Sequence, residues 1–281
     1  MSNKTAGPRI LGAVVVVAIA ALIWWWFERQ NALVVGTAPP AAPAPAASAP
    51  QQEPPATSPT EPAIEYPVPE PDEAEVLQPA EVAGALTDWL GRRQADSFLQ
   101  TGDFARRLVA TVDNLGRSYA PASLWPVNPA EGRFTVRAEG GATVIAADNA
   151  NRYAPLVSLA EAVDVRQAVA LYIRMYPLLQ SAYEDLGFPK AHFNDRLIQV
   201  IDLLLASPEP AAPIAVRLTE VKGPEPSLRP WVRYEFADPA LEALTAGQKI
   251  MVRVGAANER RLKARLAALR KELLAHGAPP R

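Results

Sequence analysis

The sequence predicts an α+β protein: a mostly α-helical soluble domain with two short β-hairpins, preceded by one transmembrane helix and a Pro/Ala-rich disordered linker. Three observations predict it. Residues Ile10 to Phe27 form an uncharged apolar run, 13 of the 29 prolines crowd into Ala38 to Pro79, and hydrophobic periodicity then begins at Val82 and persists to Leu274. The expected divisions are a cytoplasmic tail over 1–9, an anchor over 10–27, a linker over 28–81, a periplasmic globular domain over 82–275 and a tail over 276–281.

The apolar run is 18 residues long, about 27 Å as a helix, which approaches the roughly 30 Å hydrocarbon core of a bilayer. It ends in Trp24, Trp25, Trp26 and Phe27, rings suited to the membrane interface, rather than in the small residues of a cleavage site. An uncleaved anchor is therefore expected, with the bilayer as its partner. Lys4 and Arg9 precede the run, whereas Arg29 is the sole cation between it and Arg92. The positive-inside bias places the amino terminus in the cytoplasm and everything after Phe27 on the far side of the membrane.

The linker is Ala, Pro, Ser, Gln and Glu, too poor in large apolar groups to offset chain entropy, and should favour polyproline II geometry. It reads as a stiff tether that sets the distance of the domain from the membrane.

Within the domain, Val82, Leu86, Trp89 and Leu90 predict a helix over 82–93, and Phe104, Leu108, Val112 and Leu115 predict another over 103–117. A loop follows from Pro121 to Gly132. Phe134, Val136 and Ala138 then alternate, and Gly140 and Gly141 turn the chain into Thr143 to Ala146, a first hairpin. Tyr153, Leu156, Leu159 and Val163 mark a helix over 149–163. Asp164 caps the next, which runs to about Leu186 and should kink at Pro177. Asn194 is placed to cap a helix over 195–206, with Phe193 stapled onto Ile198. Ile214, Val216 and Leu218 against Val232, Tyr234 and Phe236 predict the second hairpin, and Asp238 followed by Pro239 starts a helix. The chain then passes through Gly247 to a last helix over 258–274. Its seam of Leu262, Leu266, Leu269 and Leu273 is flanked by Arg260, Arg261, Lys263, Arg265, Arg270 and Lys271. That helix has three readings: docking on its own domain, on a partner helix, or on anionic lipid.

The absence of Cys excludes disulfides, thiolate nucleophiles and Cys-ligated metal sites. With two His, His192 and His276, no multi-histidine metal centre and no cofactor site is expected. From Arg92 onward 25 Lys and Arg face 20 Asp and Glu, but the cations are dispersed among acids, so no nucleic-acid partner is expected. Candidate binding residues are Tyr172, Tyr176 and Tyr183, spaced to share one side of a helix, together with His192, Asp195 and Arg196 in the densest polar patch. A tyrosine row can stack on sugar rings, although its commoner employment is half-buried core. His192 beside Asp195 has the ingredients of a general base and its orienting carboxylate. No nucleophile is identifiable nearby, so no catalytic residue is assigned.

The stretches RLVATVDNL at Arg107 to Leu115, WPVNPAEGRF at Trp125 to Phe134, DLGFPKAHFNDRLIQVIDLLLASPE at Asp185 to Glu209 and YEFADPALEALTAGQKIMVRVG at Tyr234 to Gly255 resemble an uncharacterised bacterial envelope family, domain of unknown function 3014. The likeness spans about Ala95 to Leu274. It implies a single-pass anchored protein of a Gram-negative inner membrane and supplies no catalytic or binding residue. The expected function is a non-catalytic binding or scaffold module of the cell envelope, contacting another envelope protein or cell-wall glycan. The rival is a peptidoglycan hydrolase using two carboxylates among Glu184, Asp185, Asp195 and Glu235, about 5 to 9.5 Å apart across a groove.

Overall fold

The structure, a computed structural model, describes residues 63–219 and 230–277. The expected anchor at Ile10 to Phe27, the tail before it, the linker as far as residue 62, and the last four residues lie outside the described residues. Among the described residues no helix is long and apolar enough to cross a membrane.

The described chain is mostly helical, with two short antiparallel two-stranded sheets. It opens with a strap over 63–77 that contains a 3-10 turn at Glu73–Glu75. The sequence places this stretch in the linker, yet Leu77 is buried and its N–H bonds the Arg174 carbonyl at 3.1 Å, while Arg174 returns a bond to the Glu75 carbonyl. Tyr66 and Val68 also pack on the core. The packed unit thus starts ahead of Val82, because a proline-rich backbone can dock wherever side chains of the domain satisfy its few amides and carbonyls.

The helices expected from the sequence form with adjusted bounds. The first divides at Gly91 into α1 (Val82–Leu90) and α2 (Arg92–Phe98). α3 (Phe104–Leu115) lies at the centre, packed on α5 (Val165–Asp185) and α6 (Phe193–Leu205). Asp164 caps α5 by accepting from the Arg166 and Gln167 amides, as its position predicts, and the helix continues through Pro177. Between α3 and α5 come the hairpin of β1 (Val136–Glu139) and β2 (Ala142–Ile145) and then α4 (Asn149–Ala162). Gly140 and Gly141 both take positive φ, 59° and 81°, as the tight turn requires.

β3 (Val216–Leu218) pairs with β4 (Tyr234–Phe236) in the register Val216 to Phe236. The two hairpins meet through a bridge between Val144 and Ala215, a junction that alternation within either hairpin does not reveal. Beneath them Val216, Phe236 and Val252 form a small second core. The buried Arg253 crosses it, its guanidinium 4.6 Å over the Phe236 ring and donating to the Tyr234 carbonyl; burial pulls its pKa down to about 10.

The chain after Asp238 is more broken than expected. Asp238 caps the one-turn α7 (Pro239–Glu242). A capping box of Thr245 and Gln248 then starts α8 (Ala246–Arg253), with Gly247 inside it instead of in a connection. A Cβ at Gly247 would fall 2.5 Å from Leu204 Cδ2 and 3.0 Å from the Leu115 carbonyl, so glycine is what lets α8 approach α3 and α6.

The last helix, α9 (Ala256–Gly277), docks on its own domain. Leu262, Leu266, Leu269 and Leu273 are all buried against α4, α5 and α6, each contributing on the order of 1.5–3 kcal/mol. Its cations find acids and carbonyls distant in sequence: Arg261 with Glu161 at 2.6 Å, Arg270 with Asp202 at 2.6 Å, Lys263 with Glu209 at 3.2 Å, and Arg265 with the Ala160 and Val163 carbonyls.

Candidate functional site

Four of the six candidate residues converge. A groove of about 610 Å³ has the strap residues Ala63, Glu65 and Tyr66 on one wall, and Tyr183, His192, Asp195 and Arg196 on the other. The polar patch sits there because α6 begins at Phe193, with His192 as the residue before its first turn and Phe193 fully buried as its apolar pin.

Asp195 occupies the first turn, where exposed backbone amides favour a carboxylate. It is committed to the strap: Oδ1 accepts the Tyr66 amide at 2.8 Å and Oδ2 the Glu65 amide at 3.2 Å. Among the described residues His192 makes no hydrogen bond to Asp195, so the pair is not assembled as a base with its orienter. Asn194 is not the cap that its position suggests. Its side chain is buried, with Nδ2 donating to the Tyr66 carbonyl at 2.8 Å and Oδ1 accepting from the Tyr172 hydroxyl at 2.9 Å. The amide and the carboxylate of two adjacent residues therefore hold both backbone polar groups of Tyr66. The phenol of Tyr66 is pushed above its ordinary pKa, first by its hydrogen bond to Glu65 and then by burial.

Arg196 lines the same groove but has its guanidinium engaged by α3 and by Gln199. Its Nε lies 3.0 Å from Asp113 Oδ1 and its Nη2 2.7 Å from the Asp113 carbonyl, while Nη1 meets Gln199 at 2.6 Å. Asp113 is itself buried on α3 and also takes Arg117, at 2.7 Å. This places a negative charge between two guanidiniums and ties α3 to α6.

The tyrosine row is core. Tyr172 and Tyr183 are buried and Tyr176 is half-buried. Tyr172 and Tyr176 sit ring against ring at 5.7 Å, and Tyr183 stacks on Phe188 at 4.7 Å. Burial is the leading cause that raises the pKa of all three phenols, that of Tyr172 most strongly. Of the three only Tyr183 reaches the groove; Tyr172 instead lines a small apolar cavity of about 40 Å³ with Phe104, Met175 and Leu273.

Of the four carboxylates considered for hydrolysis, only Asp195 lines the groove. Asp185 lines two other grooves and pairs with Arg106 at 3.0 Å. Glu184 accepts from Gln180, and Glu235 on β4 pairs with Arg217. Sequence reasoning named Asn194 for a different task and did not register Glu65, Tyr66 or Asp113. The one available signal was the adjacency of two side-chain acceptors, Asn194 and Asp195, between the apolar Phe193 and Leu197.

A family model described as "Protein of unknown function (DUF3014)" matches residues 104–270. The chain belongs to this family. The DUF3014 match runs from the first residue of α3 into the last turns of α9, so it takes in Asp113, Asn194, Asp195 and Arg196 and leaves out the strap. No curated protein and no solved structure matches the chain.

Proposed function

We propose that this DUF3014 chain is an inner-membrane-anchored periplasmic protein whose domain is a non-catalytic binding or scaffold module of the cell envelope. The anchor rests on the 18-residue run at Ile10 to Phe27 and the cations before it. The non-catalytic part rests on one observation: Asp195, the acid best placed for chemistry, has both carboxylate oxygens on strap amides. A carboxylate with both oxygens engaged by its own chain's backbone is occupied by a structural contact and is not presented to a substrate. Arg196 is likewise held by Asp113. What the domain offers is an open groove walled by its own N-terminal strap, at the end of a tether suited to presenting it.

The test is crosslinking of the full chain in cells with identification of captured partners, run beside membrane fractionation and a digestion assay on isolated cell wall. The proposal expects the chain in the membrane fraction, a recurrent captured envelope component, and no released wall fragments. Fragments released by wild type and not by Asp195→Asn would replace it with the hydrolase.

A further inference from the structure

The contacts of Tyr66 have the form of peptide recognition. Asp195 receives two consecutive backbone N–H groups and Asn194 donates to the carbonyl of the second, which is how a protein reads an extended chain without depending on its side chains. The residues that follow, Pro67, Val68 and Pro69, suit such a ligand: each proline fixes φ and lacks an N–H, so little is lost on ordering and few donors need partners. The Pro67 carbonyl lies against Gly277 at the end of α9, where any side chain would collide with it. The strap is nevertheless loosely held. From Ala63 to Val76 no residue is fully buried, and Ile64 is 52% exposed; Leu77 is the first buried side chain. A segment with so little buried surface opens at a lower free energy than the core beneath it.

We infer that the Asn194–Asp195 corner is a peptide-binding clamp, occupied in cis by the chain's own strap and able to take in trans the strap of a second copy, the ligand being an extended Tyr-Pro-Val-Pro segment. The inference rests on the binding-module reading and gives it a ligand. The strap is the segment whose fit is on the page, its contacts bridge residues about 130 apart in sequence, and copies held at one membrane face meet at high effective concentration. An exchanged strap makes the contacts it makes in cis. The clamp residues lie within the DUF3014 match and the strap lies before it, as receptor and ligand portions of one chain would.

The test uses the full chain in detergent and a fluorescent peptide of residues 63–77. In wild type the cis strap competes with the peptide. Leu77→Ala trims the buried side chain of the strap without touching the clamp, so it loosens the cis strap and should bind the wild-type peptide at least about tenfold more tightly than wild type, as weakening of an intramolecular competitor allows. Leu77→Ala with Asp195→Ala should lose that gain, and a Leu77→Ala copy should co-purify with a differently tagged wild-type copy, whose intact strap it can accept, more than two wild-type copies do, an association that free peptide then reverses. Tyr66→Ala, likewise altered only in the strap, guards against a fold defect in Leu77→Ala, because it too should gain affinity for the wild-type peptide. Equal peptide affinity in wild type and both strap variants, or binding unaffected by Asp195→Ala, overturns the clamp. Peptide binding without co-purification overturns the second copy as its source. Partner capture in cells does not pass through either readout, so the two proposals fail separately.

Discussion

Replacing Asp113 by alanine removes the charge that joins α3 to α6. Its side chain is 6% exposed and accepts from Arg196, whose own side chain is 18% exposed, and from Arg117, which is 51% exposed. Breaking a buried pair leaves an uncompensated charge and costs about 3–5 kcal/mol. Arg196 keeps its bonds to the residue 113 carbonyl and to Gln199, which sets the expectation at the lower end, about 3 kcal/mol. For a domain of this size that corresponds to a fall in Tm of roughly 6–12 °C. Arg117→Ala removes the solvent-facing partner and should cost only about 0–1 kcal/mol. Urea unfolding followed by tryptophan fluorescence measures both, since Trp125 is fully buried. The double variant Asp113→Ala, Arg196→Ala should be less destabilised than the two single losses added together. An Asp113→Ala protein within roughly 0.5 kcal/mol of wild type, the usual range for a surface change, would refute the buried-pair reasoning.

Three further outcomes follow from the packing. The hydrogen bonds from Arg261 hold the Glu161 carboxyl below its ordinary value of 4.5, so its contribution is present above pH 4.5 and lost as pH falls through the lowered folded pKa; wild type should exceed Glu161→Gln in stability at pH 7, the gap should narrow progressively as pH falls below 4.5, and a gap unchanged across that range contradicts this. Gly247→Ala puts a methyl into Leu204 and the Leu115 carbonyl and should cost about 1–3 kcal/mol in thermal unfolding; an unchanged Tm would show that α8 does not need its close approach. Tyr172→Phe leaves Asn194 Oδ1 without its donor inside the core and should cost about 1–3 kcal/mol by urea titration, with no loss if a different donor already serves that atom.

Local chemistry carried much of the fold into the sequence. Asp164 and Asp238 cap the helices they were expected to cap, Gly140 and Gly141 turn the first hairpin, and the leucine seam identifies the buried side of α9. Each is a signal contained within a few residues. The capping box at Thr245 and Gln248 was equally local and readable from Thr-x-x-Gln, and noticing it would have placed Gly247 inside a helix. What stayed illegible is what depends on distant partners. Composition makes residues 63–77 a linker because it counts apolar side chains, whereas the strap is held through its backbone by Asn194 and Asp195. The basic face of α9 reads equally as a lipid surface or a partner surface until Glu161, Asp202 and Glu209 arrive from other helices to meet it. The candidate site divides the same way: His192, Asp195 and Arg196 were gathered by adjacency, and Tyr66 and Asp113 came only with the fold.

The central claim is that Asp195 serves to hold the strap. Amide hydrogen exchange in the full chain measures this directly at Glu65 and Tyr66, whose N–H groups meet the Asp195 carboxylate. In wild type both amides should exchange more slowly than that of the exposed Ile64, and Asp195→Ala should abolish the difference while α5 keeps its protection. Rapid exchange at both amides in wild type, or protection that survives Asp195→Ala, would contradict the claim.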